Sequence, residues 1–326
     1  MQVVITGGAG FLGQRLARQL LAQGTLPDSK GALQTITKIV LVDIVAATGF
    51  DDDGRIAQIT GDIADSALLE RAITTDTAAI FHLAAIVSGQ AESDFELGMR
   101  INLEASRLLL ERCRLCGHQP RVIFTSSVAV FGGDLPAVVQ DNTALNPQSS
   151  YGAQKAIAEL LLNDYSRKGY VDGRVLRLPT ISVRPGKPNK AASSFASGII
   201  REPLNGESTV CPVGPEVRLW LLSPRKVIAC LIHGYTLTNE ALGTRRTINL
   251  PGVSVTVGEM VGALERVAGS EVAKRVEWKH DPAIDRIISS WPGAWDATRA
   301  TTLGFSSDAN FDDIVRAYIE DDLPAA

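Results

Sequence analysis

Val3-Val4-Ile5-Thr6-Gly7-Gly8-Ala9-Gly10-Phe11-Leu12-Gly13 places a short β-branched run before four glycines, and an amphipathic stretch follows at residues 11–23. Glycine allows a tight turn at Gly7, close approach of the backbone to a ligand at Gly10, and close packing of helix on strand at Gly13. The N–H groups at a helix start supply a positive field for phosphate. A glycine turn between strand and helix therefore predicts a dinucleotide-binding site rather than a plain tight turn.

The first half of the chain alternates β-branched runs with amphipathic stretches. Strands are predicted at residues 3–5, 38–42, 56–60, 79–83, 121–125 and 174–178, and helices at 11–23, 65–73, 92–116 and 149–168. This order predicts an α/β fold, a Rossmann doubly wound parallel sheet. Prolines and polar clusters at residues 184–215 end the repetition, and helices are predicted again at 224–236, 256–267 and 311–321. We expect a dinucleotide-binding Rossmann domain at 1–178, and at 179–326 mainly a smaller substrate-binding cap with some return to the Rossmann domain.

Composition and charge restrict the class of partner. The 326 residues carry a formal net charge of -4, which gives no electrostatic reason to expect nucleic acid or an anionic membrane as partner. No apolar run approaches the ~20 residues that span a bilayer, and the first strand leaves no room for a leader, so a cytoplasmic protein is expected. Cys113 and Cys116 have the spacing of a metal or redox pair, but no second ligand pair follows, so ordinary thiols and no metal site are expected.

Asp43 ends the second predicted strand, where a carboxylate can accept hydrogen bonds from both hydroxyls of an adenine ribose. It would repel a 2′-phosphate, and Ile44 and Val45 follow it rather than arginine, so NAD is favoured over NADP. Asp43 lies 30 residues after Gly13 because a polar loop at residues 25–37 lengthens the connection. Asp62 ends the third strand and is expected either to contact the adenine or to cap the next helix.

Tyr151 and Lys155 lie four residues apart in a predicted helix, which places both side chains on one face. The ammonium of Lys155 can lower the pKa of the Tyr151 phenol and make it a usable base near neutral pH. Alone, such a pair is typical of many solvated helices. Together with the glycine turn, it predicts hydride transfer from an alcohol to a nicotinamide cofactor.

In combination, these motifs resemble those of the extended short-chain dehydrogenases, which include nucleotide-sugar epimerases and dehydratases. The matching segments are the glycine turn, Asp43, Gly61-Asp62-Ile63, His82-Leu83-Ala84-Ala85, Asn102, Thr125-Ser126-Ser127, Tyr151, Lys155 and Arg177-Leu178-Pro179-Thr180. More narrowly, residues 84–89, 126–132 and 177–189 resemble the D-erythronate dehydrogenase family. That resemblance implies an NAD-dependent dehydrogenase that oxidises the 2-hydroxyl of a four-carbon sugar acid to 2-oxo-tetronate.

The resemblance also implies roles for individual residues. Tyr151 removes the hydroxyl proton, Lys155 holds the nicotinamide ribose and stabilises the phenolate, and Ser127 orients the substrate oxygen, although a serine at a strand end can also simply cap a turn. Asn102 supports the cofactor ribose or a water in the proton path, whereas His82 is left outside the site as a packed strand residue. Cofactor contacts are expected from Gly7, Gly10, Phe11, Leu12, Gly13, Asp43, Asp62, Ile63, Leu83, Ala84, Ala85, Asn102, Tyr151, Lys155, Pro179, Thr180 and Ile181.

A sugar acid requires a cation for its carboxylate, and arginine offers a bidentate fork. Arg184, Lys187 and Arg218 are the candidates, and Arg218 is favoured because its segment matches the family position that meets anionic substrate. The alternative for each is a surface or interface ion pair. The expected substrate-binding residues are Ser88, Ser127, Tyr151, Arg184, Asn189 and Arg218.

Two other functions stay open. A nucleotide-sugar 4-epimerase or dehydratase would share the fold, but Phe131 replaces its usual tyrosine, and the stretch from Tyr151 to Arg218 looks shorter, leaving less surface for a nucleoside diphosphate. A non-catalytic NAD(P)-sensing protein would have no need for Ser127, Tyr151 and Lys155 together. The resemblance further implies a homodimer formed through the helices at 92–116 and 149–168.

Overall fold

A computed structural model describes residues 1–188 and 191–323. Up to residue 181 the chain forms β1 (Gln2–Thr6), α1 (Phe11–Gln23), β2 (Thr25–Pro27), β3 (Leu33–Thr35), β4 (Lys38–Asp43), β5 (Ile56–Thr60), α2 (Ser66–Ala72), β6 (Thr77–His82), α3 (Ser88–Ser93), α4 (Phe95–Gly98), a π-helical turn (Met99–Glu104), α5 (Ala105–Cys116), β7 (Arg121–Ser127), a 3₁₀ turn (Val128–Val130), α6 (Ser150–Arg167), β8 (Asp172–Leu178) and β9 (Thr180–Ile181).

The second half of the chain is richer in short elements. It forms a 3₁₀ turn (Ala192–Ser194), α7 (Phe195–Leu204), β10 (Thr209–Cys211), β11 (Arg218–Leu222), α8 (Pro224–Thr236), α9 (Asn239–Leu242), β12 (Thr247–Asn249), β13 (Val253–Thr256), α10 (Val257–Ala268), α11 (Ser270–Ala273), β14 (Val276–Trp278), α12 (Pro282–Ser289), α13 (Thr298–Thr302) and α14 (Phe311–Asp321).

The main sheet has seven strands in the order β12-β8-β7-β6-β1-β4-β5, and every neighbouring pair is parallel. Successive strands add outward from β1 in both directions, which is the doubly wound order, so the predicted fold class is confirmed. Thr6 pairs with Val42 on one side and with His82 on the other. The carboxyl ends of β1, β4 and β6 therefore lie level where the winding direction reverses, the place where such sheets bind ligands.

Side chains alternate between the two faces of the sheet, and each face carries its own core. Along β1, Val3 and Ile5 pack in one core, which also holds buried residues of α1 and α8, whereas Val4 packs in the other, with residues of α2, α5 and α6. This alternation follows from the two-residue period of a strand. A strand buried on both faces is apolar through its middle, as residues 3–5 of β1 and 39–42 of β4 are.

The second half builds a separate core on small sheets. Strand β11 pairs antiparallel with β13 and parallel with β9, β10 pairs with β14, and α7, α10 and α14 contribute buried residues around them. Two of its elements lie with the main sheet, because β12 extends it beside β8 and α8 packs against β7 and β8. The domain division at residue 178 itself stays a prediction.

The helix expected at residues 92–116 is broken into α3, α4, the π-helical turn and α5. Close packing on α6 accompanies the break, since a Cβ at Gly98 would lie 2.6 Å from Gln154 Nε2. π-helical turns inside helices often mark functional positions, and this one contains Asn102.

In the part of the chain that the structure describes, no helix is long and apolar enough to cross a bilayer, and no group of three or more His, Cys, Asp or Glu side chains could hold a metal. The four cysteines are free thiols.

Candidate active site

A cavity of about 580 Å³ lies at the carboxyl ends of β1, β4 and β6. It brings together most of the residues expected to bind the cofactor, from the glycine turn through the end of β4 to helix α6. The expected residues that line it are Gly7, Gly10, Phe11, Leu12, Gly13, Asp43, Asp62, Ile63, Leu83, Ala84, Ala85, Tyr151, Lys155, Ile181 and Arg184.

Helix α1 begins at this cavity without a side-chain cap. Its N-cap residue is Gly10, which cannot accept a hydrogen bond through a side chain, and its first turn has no acidic residue. By contrast, Asp65, Ser149, Ser223 and Thr256 cap helices α2, α6, α8 and α10 with their side chains. The first N–H groups of α1 are thus left for a ligand, which fits the pyrophosphate of a dinucleotide.

The glycine turn itself leaves no room for side chains. A Cβ at Gly7, whose φ is +70°, would lie 2.9 Å from the Ala84 nitrogen, and one at Gly13 would lie 2.2 Å from the Gly7 carbonyl oxygen. Both obstacles are backbone atoms, which cannot rotate away as a side chain could. The cradle for a dinucleotide therefore depends on glycine at both positions.

Asp43 closes the far side of the cradle. Its Oδ2 accepts a hydrogen bond from the Ala9 N–H at 3.0 Å, and its Oδ1 accepts one from the Ile44 N–H at 2.7 Å. The carboxylate lines the cavity and has further lone pairs for ribose hydroxyls. It thus ties the glycine turn to the end of β4 as well as being placed for the ribose.

Asp62 does not cap helix α2, because that position belongs to Asp65. The Asp62 carboxylate instead accepts from the Ala64 N–H at 2.8 Å and pairs with the guanidinium of Arg100. The cap alternative for Asp62 is therefore wrong. Arg100 also lines the cavity, and nothing in the sequence marks it, because its pairing spans 38 residues.

A buried polar network holds the base of the cavity. Ser106 Oγ donates to the Asn102 carbonyl at 2.7 Å, so His82 Nε2 donates to Ser106 at 3.0 Å and Nδ1 accepts from Thr6 Oγ1 at 2.7 Å. Burial first, and then the charge of Lys155, lowers the pKa of His82 to about 3. The imidazole is neutral and links the end of β1 to the π-helical turn, which agrees with leaving it outside the site.

Asn102 is held within the same region and does not line the cavity. Its Oδ1 accepts from the Ile86 N–H at 2.8 Å, and its Nδ2 donates to the Ile86 carbonyl at 3.1 Å and to Gln154 Oε1 at 2.7 Å. The side chain clamps the loop after β6 to helix α6. This geometry makes Asn102 a positioning residue for the loop beside the cofactor.

Tyr151, Lys155 and Arg184 line one part of the cavity, called the reaction end below, and Ser127 contacts Tyr151 without lining the cavity itself. Burial raises the pKa of the Tyr151 phenol to about 12, while a hydrogen bond with Ser127 and the positive charge of Arg184 act to lower it. Ser127 Oγ also accepts from the Ala129 N–H at 3.2 Å, so it caps a turn and contacts the tyrosine at once. The expected lowering of this pKa by Lys155 is not found, because Ser127 and Arg184 are the groups that lower it, and desolvation outweighs both.

Lys155 is buried beside the tyrosine. Its Nζ donates to the Thr125 carbonyl at 2.9 Å and lies 5.8 Å from the centre of the Tyr151 ring. Burial lowers the pKa of this ammonium to about 8, although the negative charge of Glu159 opposes the shift. The amine therefore stays largely protonated at neutral pH, and Lys155 lines the cavity.

Arg184 provides a second cation in the lining of this cavity, in addition to Lys155. Its backbone N–H donates to Ser197 Oγ at 3.0 Å, and its backbone carbonyl accepts from Arg201 Nη1 at 2.7 Å. Its guanidinium contacts Ser193 Oγ at 3.4 Å. Burial first, and then the charge of Arg201, lowers the pKa of Arg184 to about 10. Among the described residues, no carboxylate pairs with this guanidinium, although Arg201 has Glu202 at 2.6 Å.

Arg218 lies apart from this cavity, which corrects the preference for it as the carboxylate ligand. Its side chain is 48% exposed, contacts the Ser254 carbonyl at 3.4 Å and lies 3.8 Å from Glu259 Oε2. It sits at the exposed start of β11, so the alternative of a surface ion pair describes it. The resemblance concerns the position of this segment along the chain, and it does not show that β11 leaves its first residue outside the cavity lining.

The remaining expected residues take supporting places. Ser88 is buried and accepts from the Ala192 N–H at 3.2 Å, which joins the loop after β6 to the cap. Pro179 and Thr180 are buried behind Ile181, and Thr180 pairs with Leu221 of β11. Asn189 lies outside the described residues, and Lys187 is exposed away from the cavity lining.

Phe131 is fully buried and does not line the main cavity. Its ring packs against Trp295 with centres 6.2 Å apart, and the guanidinium carbon of Arg177 lies 4.9 Å from its centre. The residue is part of a core shared by the loop after β7 and the cap. It offers no hydroxyl to a ligand.

Comparison with known proteins assigns the family. The family model described as NAD dependent epimerase/dehydratase matches residues 3–223. The chain is 64% identical to a D-erythronate dehydrogenase of Cupriavidus necator over 98% of both chains, and 50% identical to one of Haemophilus influenzae over 99% of this chain and 100% of that one. A solved structure described as a nucleoside-diphosphate-sugar epimerase from Agrobacterium tumefaciens is 42% identical, with a TM-score of 0.92 over 98% of this chain and 94% of that chain.

A match over most of the chain, together with two nearly full-length relatives at half identity or more, confirms both the expected family and the expected cofactor. The uncapped α1 terminus and the glycine cradle fit that cofactor. The chain belongs to the NAD-dependent epimerase/dehydratase family, within the extended short-chain dehydrogenases, and NAD is its cofactor.

Proposed function

We propose that the protein oxidises the 2-hydroxyl of D-erythronate to 2-oxo-tetronate, with NAD as the hydride acceptor. The relatives that are 64% and 50% identical over nearly their whole length both carry the name D-erythronate dehydrogenase. The enzyme class expected from the sequence, an NAD-dependent dehydrogenase, is confirmed by this identity. We also propose which residues perform the reaction.

The observation that carries the choice of an acid substrate is the environment of Arg184. Its guanidinium lines the main cavity beside Tyr151, and no described carboxylate neutralises it. Placing a cation in a partly desolvated site is costly unless an anion pairs with it. A carboxylate of the substrate supplies that anion with two parallel hydrogen bonds, and its neighbouring carbon then lies close to the tyrosine.

The chain's own residues then handle the proton. The Tyr151 phenolate takes the proton of the C2 hydroxyl, while the Ser127 hydroxyl orients that oxygen. Because burial opposes the phenolate, the hydrogen bond with Ser127 and the positive charge of Arg184 must offset part of that cost. NAD, when bound, supplies the acceptor for the hydride that leaves C2.

The protein's main contribution is orientation. Asn102 fixes the loop after β6 against α6, and Ser197 and Arg201 of α7 hold the backbone of Arg184 on both sides. Holding hydroxyl, base and hydride acceptor in one geometry lowers the entropic part of the barrier. Hydroxyls of the sugar acid would meet Ser88 and Asn189, the partners expected from the sequence.

A nucleotide-sugar reaction is the second candidate, because the Agrobacterium tumefaciens structure with 42% identity is described as an epimerase of that class. Phe131 opposes it here, since a buried phenyl ring replaces the hydroxyl expected at that position. An epimerase would return its hydride to the sugar and accumulate no NADH. Net NADH formation therefore separates the two reactions.

The finer expectations of a homodimer and a cytoplasmic location belong to the same proposal. Helix α6 exposes Ile157 at 42% and Leu160 at 66%, one turn apart, and α5 exposes Leu115 at 65%. These lie on the helices expected to form the dimer. Light scattering should give twice the 34.8 kDa of the chain, and Leu160→Glu should shift the protein toward the monomer.

The test is a screen for NADH formation with aldonates of three to six carbons, both C2 epimers of the four-carbon acid, and UDP-sugars. D-Erythronate should give the highest kcat/KM, and UDP-sugars should neither produce NADH nor be epimerised. Epimerisation of a UDP-sugar without NADH would favour the second candidate. NAD binding without turnover of any compound would indicate the cofactor-sensing alternative.

A further inference from the structure

A separate cavity of about 270 Å³ lies beside β12, at the edge of the main sheet and away from the residues that hold NAD. Four arginines and one carboxylate, Asp141, line it. The whole chain has a formal net charge of -4, so this concentration of guanidinium groups is local.

Two of the four arginines are paired behind the cavity wall. Arg177 makes a bidentate pair with Glu159, with Nε–Oε1 at 2.9 Å and Nη2–Oε2 at 2.7 Å. Arg246 reaches Asp172 Oδ1 at 2.9 Å, but the same carboxylate also pairs with Arg121 and Arg174. One carboxylate thus serves three guanidinium groups, and positive charge remains in excess.

The other two arginines leave the excess at the cavity mouth. Arg299 donates to the Thr247 and Arg245 carbonyls at 2.8 and 2.5 Å, which covers the outer edge of β12, and lies 4.0 Å from Asp141 Oδ2. Burial lowers the pKa of Arg299. The negative charge of Asp141 opposes this shift, and the positive charge of Arg245 adds to it. The Arg245 guanidinium has no ion pair or hydrogen bond among the described residues and is exposed beside it.

A hydroxyl group also lines the cavity. Asn163 Nδ2 donates to Thr247 Oγ1 at 3.3 Å. Because Thr247 Oγ1 accepts this bond, its own hydrogen is free to donate. The lining therefore offers guanidinium and hydroxyl donors to a ligand.

We propose that this cavity binds a small tetrahedral oxyanion, with inorganic phosphate as its simplest representative. Its oxygens would meet Arg245, Arg299 and the Thr247 hydroxyl. Guanidinium forks suit tetrahedral oxyanions. Sulfate has the same shape, so it should compete for the same site.

The experiment is a calorimetric titration of the protein saturated with NAD, so that the dinucleotide cradle is occupied, with inorganic phosphate at constant ionic strength. The wild type should bind one phosphate per chain, and sulfate should compete with it. Arg245→Gln should weaken phosphate binding about tenfold, the loss expected for one charge-assisted contact.

Two controls separate this site from others. Arg286→Gln changes another exposed arginine that makes no ion pair among the described residues, on α12, and should leave phosphate binding unchanged. Arg184→Gln should also leave it unchanged, because that residue lies in the main cavity. Absence of saturable binding to the wild type, equal effects of Arg245→Gln and Arg286→Gln, or loss of binding in Arg184→Gln would overturn the proposal. Because Arg245 is exposed, its variant should fold, and a melting curve checks this.

Discussion

The two ends of the main cavity are built from different parts of the chain. At the pyrophosphate end, the site consists of backbone: three glycines and the uncapped start of α1 within residues 7–13. At the reaction end, it consists of side chains from three elements: Ser127 from β7, Tyr151 and Lys155 from α6, and Arg184 from the loop after β9. A backbone site needs one local pattern, whereas a side-chain site needs the whole fold to assemble it.

The comparison extends to how each end is held. The glycine turn is fixed by contacts with the end of the adjacent strand β4. The Gly8 N–H donates to the Val42 carbonyl at 3.1 Å, and the Ala9 N–H donates to Asp43. Arg184 is held from the cap, through Ser197 and Arg201 of α7. A change in the cap can therefore disturb the reaction while leaving NAD binding intact. The variants below are chosen to separate the two ends.

The largest effect is expected from Tyr151→Phe, which removes the proposed base. Turnover of D-erythronate should fall by on the order of 10³-fold, the scale of a lost general base. The dissociation constant for NAD, followed by fluorescence quenching, should change little, because the pyrophosphate end is untouched. Equal loss of binding and turnover would show that the two ends are not separable and would reject the role of Tyr151 as base.

Arg184→Gln should act on the reaction end alone, with a smaller effect. Loss of the carboxylate partner should reduce kcat/KM for D-erythronate on the order of 100-fold. Because the Arg184 charge lowers the pKa of Tyr151, its removal should also move the rise of activity with pH to higher pH. A pH profile of kcat/KM measures both effects.

The matched variant for this test is Arg218→Gln. Arg218 is the exposed arginine at the start of β11, outside the cavity, so its loss should change kcat/KM and the pH profile little. If Arg218→Gln reduced activity more than Arg184→Gln did, the carboxylate would have to be placed at β11 after all.

Gly13→Ala should act on the pyrophosphate end, with an effect smaller again. The added Cβ would lie 2.2 Å from the Gly7 carbonyl oxygen, so α1 must shift away from the turn. NAD affinity should fall about tenfold or more, consistent with overpacking of a tight contact. Turnover at saturating NAD should be nearly retained, the reverse of the result for Tyr151→Phe.

Gly262→Ala is the control for a glycine in a helix. Its Cβ would meet only the flexible end of Arg266 at 3.4 Å, so the variant should bind NAD normally and gain about 0.5–1 kcal/mol in stability. A similar loss of NAD affinity in both glycine variants would mean that helix geometry, rather than the cradle, explains the effect.

The sequence predicts the pyrophosphate end almost completely, because that end is built mainly from the backbone of one short stretch of chain. Gly7, Gly10, Gly13 and Asp43 are recognisable because each answers a local backbone requirement, and all four line the cavity. The parallel sheet is predictable too, since its strands are apolar on both faces. The family resemblance adds Tyr151 and Lys155 through their spacing on one helix.

The reaction end is less predictable, because its electrostatics depend on contacts between distant segments. Spacing alone suggests that Lys155 sets the pKa of Tyr151, but burial dominates, and Ser127 and Arg184 are the groups that oppose it. The same limitation explains the preference for Arg218 over Arg184. The role of Arg201 has no sequence signal at all, since its bond to the Arg184 carbonyl exists only once α7 packs on the loop.

The smallest effect is expected from Asp43→Asn, which sharpens the account of the cofactor end. The amide oxygen can still accept from the Ala9 N–H and hold the turn, although the amide nitrogen cannot accept the bond from the Ile44 N–H, and the negative charge that repels a 2′-phosphate is gone. The ratio of NAD to NADP affinity should fall by several-fold to about tenfold. Asp52→Asn, an exposed aspartate in the loop after β4, is the matched control and should leave that ratio unchanged. An unaltered ratio in Asp43→Asn would assign the discrimination to the shape of the loop instead of to the carboxylate.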